Sequence, residues 1–233
     1  MLAPPTATII AMLGLPGSGK TTCARLLAND CAGAVFEAGR LLRERAEGGD
    51  RAARELVLTA SPIPRQEFHQ MLDAWLRVHS RNGQWLLLDG APRSIEQVEV
   101  LHELVLDRAV LQVLGIVLEV SRDVAIERLT DRAAGADRRV DGAQQLIRAR
   151  VERQAPTLRA TVGRMREIWP VAEVDALGSQ ASVLVRIEQE VVALPLENGL
   201  QRPDGIETNL GTAIGKLRQN REQPETRTEE QGA

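Results

Sequence analysis

The sequence predicts an α/β protein: a parallel sheet covered by helices on both faces. Three observations carry that expectation. Short aliphatic runs alternate with longer amphipathic segments, and a glycine-rich turn separates the first run from the first amphipathic segment. The 233-residue composition, 43% hydrophobic and 26% charged, is that of an ordinary globular protein.

The runs at 8–13, 34–36, 85–89, 113–119 and 171–174 are short, aliphatic or β-branched, and read as strands buried on both sides. Between and after them, apolar residues recur at helical spacing over 21–29, 64–79, 94–106, 124–132, 143–166 and 181–192. Strand and helix taking turns in this way is the signature of a parallel sheet. No internal repeat is present. Residues 1–194 read as one domain. Beyond 194 the chain turns to Pro, Gly and charge, and from Asn220 onward it has no large apolar residue. Such a segment cannot offset its own ordering entropy, so 195–233 is expected to be a mostly disordered tail, with a short helix conceivable at 206–217.

Composition removes several classes of function. Aromatics are 2% of the chain (Phe36, Phe68, Trp75, Trp85, Trp169 and no tyrosine), too few for base-stacking platforms. Net charge is -3, which offers no polyanion field, so no nucleic-acid partner is expected. The apolar run 9–13 is far too short to span a membrane and no basic stretch precedes it. A cytoplasmic, membrane-free and monomeric protein is the expectation. The two cysteines, Cys23 and Cys31, cannot form a four-ligand zinc site, so no structural zinc is expected. Lys20 and Lys216 are the only lysines among 29 basic residues, so a lysine at a phosphate-binding position is not there through abundance.

Gly14-Leu15-Pro16-Gly17-Ser18-Gly19-Lys20-Thr21 fits G-x-x-x-x-G-K-[ST], directly after one predicted strand and before a predicted helix. Glycines let backbone N–H groups converge on phosphate oxygens, and the helix start adds its positive dipole end. Lys20 is placed to reach the β- and γ-phosphates of ATP, and Thr21 to offer a hydroxyl to Mg²⁺. The strand at 85–89 ends in Asp89-Gly90, which puts a carboxylate where a magnesium-organising acid belongs, in part through water.

Asp89-Gly90-Ala91-Pro92-Arg93 followed by Gln97 resembles the D-G-F-P-R-x-x-x-Q signature of the adenylate kinase family of nucleoside monophosphate kinases. The phosphate loop extended to Thr22 is similar to that family's loop, and the likeness runs from about residue 8 to 192. The resemblance implies a P-loop NTPase three-layer sandwich with a five-stranded parallel sheet in the order 2-3-1-4-5. It also implies a monophosphate-binding helical insert at about 37–80 and a lid at about 132–140. Only six residues separate Arg132 from Arg139, so the lid is the short form without the zinc cluster of longer ones.

The resemblance also assigns residues. Gly14, Gly17, Ser18, Gly19, Lys20, Thr21 and Thr22 fall at the ATP phosphates, Arg128 at the donor adenine and Arg132 at the donor phosphates. Ala38-Gly39-Arg40-Leu41-Leu42-Arg43 looks like T-G-D-x-L-R, which places Gly39 and Arg43 at the acceptor with Gly90, Arg93 and Gln97. Arg139 and Arg150, eleven apart, match the pair that reaches the transferred phosphoryl group, so Lys20, Arg93, Arg132, Arg139 and Arg150 form the expected catalytic set. Gln97 stands one helical turn past Arg93, and its amide can both donate to and accept from an adenine edge. Ala38, Arg40, Ala91 and Asp131 stand where the family has threonine, aspartate, phenylalanine and glycine. The 153–158 stretch is shorter than the family's and lacks its tyrosine. These departures bear on acceptor choice rather than on phosphate handling.

The leading expectation is ATP + AMP ⇌ 2 ADP with Mg²⁺. A monophosphate oxygen is already a nucleophile at neutral pH, so the absence of an evident general base fits. His69, His79 and His102 read as packing or surface residues. A kinase for a pyrimidine monophosphate or a small alcohol, and a nucleotide sensor acting through the tail, are the rival readings.

Overall fold

The computed structural model describes residues 7–80, 84–108, 111–135 and 143–193. The expected tail at 195–233 lies outside them. Five parallel strands are ordered β2-β3-β1-β4-β5, namely β1 (Ala7–Gly14), β2 (Ala34–Phe36), β3 (Gln84–Asp89), β4 (Leu111–Glu119) and β5 (Val171–Asp175). Each begins or ends within two residues of the sequence expectation. The 2-3-1-4-5 order implied by the resemblance is the order observed.

Alternate residues of each strand face opposite sides of the sheet, which divides the core in two. Ile9, Ala11, Leu13, Leu86, Leu88, Val113 and Val117 point to one face. That face is covered by α2 (Ala38–Glu47), α4 (Arg65–His79), α5 (Ile95–Leu106) and α7 (Ala143–Arg166). Ile10, Met12, Trp85, Leu87, Leu114, Ile116 and Leu118 point to the other, beneath α1 (Lys20–Asp30) and α8 (Gln180–Ala193). The remaining helices are α3 (Arg51–Thr59) and α6 (Arg122–Gly135). Helices on both faces make a three-layer α/β sandwich.

The insert between β2 and β3 consists of α2, α3 and α4. Sequence periodicity located only α4, because α2 and α3 are short and bury mainly alanines: Ala38, Ala46 and Ala53, with Leu42. Asp50 caps α3 by accepting from the Ala53 amide at 3.0 Å. Arg45 on α2 bonds Asp50 at 2.5 Å and also pairs with Glu67 on α4, tying the three helices together. Beneath them Phe36 packs on Phe68 and Trp75, with ring centroids 6.2 and 5.5 Å away. Ala91 is buried in the same cluster. Trp75 stacks on His79 and Trp169 meets His102 edge to face, so two of the three histidines are packing partners of aromatics.

One boundary differs from expectation. Helix α6 continues through Arg132 to Gly135, so the first part of the expected lid is regular helix. Residues 136–142, which hold the rest of it, lie outside the described residues. Among the described residues, no helix is long and apolar enough to cross a membrane.

Candidate active site

The carboxyl edge of the sheet brings β1 and β3 together, with Met12 opposite Asp89. Two loops therefore meet there: Gly14–Gly19, which leads into α1, and Gly90–Ser94, which leads into α5. The Gly90 amide donates to the Met12 carbonyl at 3.1 Å and locks the second loop to the first strand. Gly17 adopts φ +86°, and a Cβ there would lie 2.5 Å from the Ala125 carbonyl oxygen of α6. Only glycine allows that turn and that approach. Ser18 is buried, whereas Thr22 is exposed on the first turn of α1.

Inside the loop, Lys20 donates from Nζ to the Leu15 carbonyl at 2.7 Å and to Ser18 Oγ at 3.2 Å. Burial lowers its pKa from 10.5 to about 8; Asp89 opposes that shift, and Arg93 and Arg150 reinforce it. Thr21 Oγ1 donates to Asp89 Oδ2 at 2.6 Å, joining two side chains 68 residues apart. Burial pushes the Asp89 carboxyl above its ordinary value, against the Thr21 hydroxyl bond and the Lys20 charge. Gly90 stands beside Lys20, a Cβ there being 3.7 Å from Lys20 Cε.

The arginines come in from three other directions. Arg93 begins the approach to α5, and its guanidinium is held low by burial and by Arg150. Arg150, on α7, is lowered by partial desolvation and by Arg43, Arg153 and Arg132. The structure therefore gathers Lys20, Arg93 and Arg150, with Arg43 and Arg132 close to Arg150. Gly39 lies next to Arg43, a Cβ there being 3.4 Å from its Nη1. Among the described residues, no carboxylate pairs with Arg43, Arg93, Arg132 or Arg150. Arg128, one turn before Arg132 on α6, donates to the Ala176 carbonyl at 2.9 Å and ties α6 to the loop after β5. Arg139 lies outside the described residues.

Gln97, expected to meet an adenine edge, already has two partners within the protein. It is 2% exposed: its Oε1 accepts from the Arg93 amide at 2.8 Å and its Nε2 donates to the Ile63 carbonyl at 2.9 Å. The side chain thus fastens the Gly90–Ser94 loop to the insert. One lone pair and one N–H remain for any further partner.

Three residues near these groups were missed at the sequence level. Glu37 follows β2, is buried, and accepts from Arg25 Nε and Arg40 Nε, each at 2.6 Å. It supplies a carboxylate three residues before Arg40, the position where sequence reasoning saw an acid lost. Arg153 and Gln154 follow Arg150 on α7, in the stretch whose shortened spacing was the one available signal.

The donor set at Asp89 suits a hard cation: a half-buried carboxylate with a hydroxyl bonded to it, at the mouth of a phosphate loop. Among the described residues, no group of three or more His, Cys, Asp or Glu side chains could hold a metal by itself. A magnesium ion there would draw its other ligands from phosphate oxygens and water.

A glycine-rich loop at the carboxyl edge of a parallel 2-3-1-4-5 sheet, feeding a lysine and a threonine toward an aspartate on the adjacent strand, defines a P-loop nucleotide-binding protein. Comparison with known families agrees, since a model described as an AAA domain matches residues 13–147. The chain is 32% identical over 140 residues to the adenylate kinase of Helicobacter hepaticus, covering 57% of this chain and 72% of that protein. It is 31% identical over 134 residues to that of Campylobacter lari, covering 55% and 70%. With the adenylate kinase of Xanthomonas campestris pv. campestris the identity is 31% over 187 residues, 77% of this chain and 97% of the relative. The chain belongs to the adenylate kinase family, and its activity is that of a nucleoside monophosphate kinase.

Proposed function

We propose that this protein transfers the terminal phosphoryl group of ATP to AMP, releasing two ADP. The observation that carries the reading is the convergence of Lys20, Arg93 and Arg150. The charges of Arg93 and Arg150 lower the proton affinity of Lys20, and that of Arg150 lowers Arg93, while among the described residues no carboxylate pairs with either arginine. Anions would neutralise such a cluster, and two phosphate chains meeting end to end supply them. The adenylate kinase relatives favour AMP as the acceptor.

In this mechanism an oxygen of the AMP phosphate attacks the γ-phosphorus. The P–O bond to the β-phosphate breaks, and its electron pair stays on the departing ADP. That phosphate has a second pKa of about 6, so no residue has to remove a proton. Lys20 gives up its bonds to Leu15 and Ser18 to hold the β- and γ-oxygens, and the amides of Gly14–Gly19 cradle the same phosphates. Arg93 and Arg43 hold the acceptor phosphate. Arg150 and Arg132 face the charge that spreads over the transferring group, with Arg139 joining from the short lid at about 132–140. Arg128 flanks the donor base. Thr21 and Asp89 would hold magnesium, which when bound would neutralise charge developing on the transferring phosphates. Closing the cleft keeps water from acting as the acceptor.

The test is incubation of the purified protein with Mg·ATP and, separately, AMP, CMP, UMP, GMP and dTMP, with diphosphates quantified by chromatography. Rapid ADP formation with AMP supports the reading. Preference for another acceptor overturns the AMP assignment and keeps the kinase. ATP binding without diphosphate from any acceptor overturns both.

A further inference from the structure

The oxygen of Ala60 is a meeting point of three parts of the molecule. Ala60 ends α3 in the left-handed region, at φ 52°, an unusual conformation for a residue other than glycine. Its carbonyl accepts from Arg93 Nη2 at 3.0 Å, and Gln154 Nε2 stands 3.5 Å from the same oxygen. The insert, the loop before α5 and helix α7 are thereby joined at one atom. The partners lie 33 and 94 residues away in sequence.

We infer that the Ala60 carbonyl occupies the place of a substrate phosphate oxygen before Arg93, and that Gln154 is the positioning residue that takes over this carbonyl once a monophosphate claims Arg93. The inference rests on the proposed function. A carbonyl oxygen is neutral, whereas a monophosphate is a dianion, and a guanidinium bonds the dianion more strongly. Substrate therefore draws Arg93 away from Ala60, and the C-terminal end of α3 loses its short bond to the body of the protein. Arg93 feels the charge of Arg150, and Arg150 that of Arg43 and Arg153, and these cations go to phosphate oxygens. Gln154 is a neutral amide, for which a phosphate has the least preference among these donors. It stays available to the carbonyl, already within reach, and needs only to shorten a long contact. The insert then remains docked while its former tether holds substrate.

Gln154→Met removes the donor and keeps the length of the side chain. The expected result is a rise in KM for AMP of about fivefold, the value of one ordinary hydrogen bond, with KM for ATP and kcat unchanged. Gln154→His returns a neutral donor of nearly the same reach and is expected to recover the KM for AMP. A readout independent of turnover is amide hydrogen exchange over 51–63 with and without AMP. In the unaltered protein AMP preserves protection there, and in Gln154→Met AMP lowers it. A KM for AMP within twofold of the unaltered protein, an equal rise in KM for ATP, or no recovery with histidine would each overturn the inference. If the unaltered protein makes no diphosphate from any monophosphate, the parent reading fails and this one with it. Normal wild-type turnover with an unmoved KM in Gln154→Met removes this inference alone.

Discussion

Replacing Gly17 and Gly19 by alanine separates two costs that sequence motifs treat as one. Both residues have positive φ, +86° and +97°, so each alanine places an L side chain in left-handed backbone at about 1–2 kcal/mol. Only Gly17 is also crowded. Its added Cβ would lie 2.5 Å from the Ala125 carbonyl oxygen and 3.1 Å from Leu129 Cγ, whereas the one at Gly19 meets nothing within 4 Å. Relief at Gly17 requires moving a backbone carbonyl or the loop by most of an ångström. Ala125 is fully buried, so α6 cannot retreat without disturbing its own packing, which adds about 1–3 kcal/mol. Gly17→Ala is thus expected to cost about 2–5 kcal/mol and Gly19→Ala about 1–2 kcal/mol. Urea unfolding of the nucleotide-free proteins measures both, and the midpoints compare directly where the slopes agree. If the loop yields instead of the helix, its amides miss the phosphates by the same distance and kcat/KM for ATP falls on the order of a hundredfold. Equal midpoints for the two variants, with normal kcat/KM for Gly17→Ala, would refute the reasoning that α6 seats the phosphate loop.

Asp89→Asn keeps an acceptor for the Thr21 hydroxyl but removes the charge that would hold magnesium. Turnover should drop by about two orders of magnitude or more, while the urea midpoint of the free protein holds or rises because a half-buried charge is gone. Activity within tenfold of normal would take the cation from Asp89. Arg93→Ala should raise the KM for AMP by about ten- to a hundredfold and that for ATP far less, as measured by initial rates against each substrate. Equal weakening would mean that Arg93 does not serve the acceptor. Glu37→Gln should cost about 1 kcal/mol at pH 7, and the cost should be pH-dependent. Burial alone would raise the Glu37 carboxyl, but its bonds to Arg25 and Arg40 carry it below the ordinary 4.5. A carboxylate depressed in the folded state stabilises above its unfolded pKa and ceases to as pH falls through its folded value. The gap between the two proteins should therefore be flat from pH 7 to 5 and close below 4.5. Denaturation curves showing the full gap after the carboxylate has protonated would contradict the ion-pair account.

What could be read from the sequence follows from how local each signal is. The strands were legible because a strand buried on both faces is a continuous aliphatic run, and β1 and β3 are built around such runs at Ile9–Leu13 and Leu86–Leu88. Helices α2 and α3 were not, since 38–59 buries little beyond alanines and is broken by Gly48, Gly49 and Asp50. Lys20, Thr21 and Asp89 were legible from the loop motif and the end of a strand. That Arg93 and Arg150 belong beside Lys20 required the resemblance, because no periodicity links residues on different helices. Gln97 is a different case: its spacing from Arg93 is visible in the sequence, but the Ile63 carbonyl to which its amide donates is not. Gln154 had no signal beyond a shortened stretch, since its partner lies 94 residues earlier.

In the proposed mechanism the two halves of the site are held by different kinds of structure, and that difference bears on how it would work. The donor half sits on hydrogen-bonded strands and the first turn of α1, with Lys20, Thr21 and Asp89 bonded to one another or to the loop. The acceptor half spans the insert, the loop before α5 and α7, which share a hydrophobic core and the Arg65–Glu103 and Arg164–Glu99 pairs but meet at the site through side-chain bonds to the Ala60 and Ile63 carbonyls. Arginines that repel one another across those junctions favour a looser arrangement until phosphates neutralise them. Binding energy from the anions then does two things at once: it draws the acceptor elements together and sets the reacting groups in line. Since phosphoryl transfer asks for positioning and charge neutralisation more than for proton transfer, a site built from opposed cations on separable elements needs no further catalytic group.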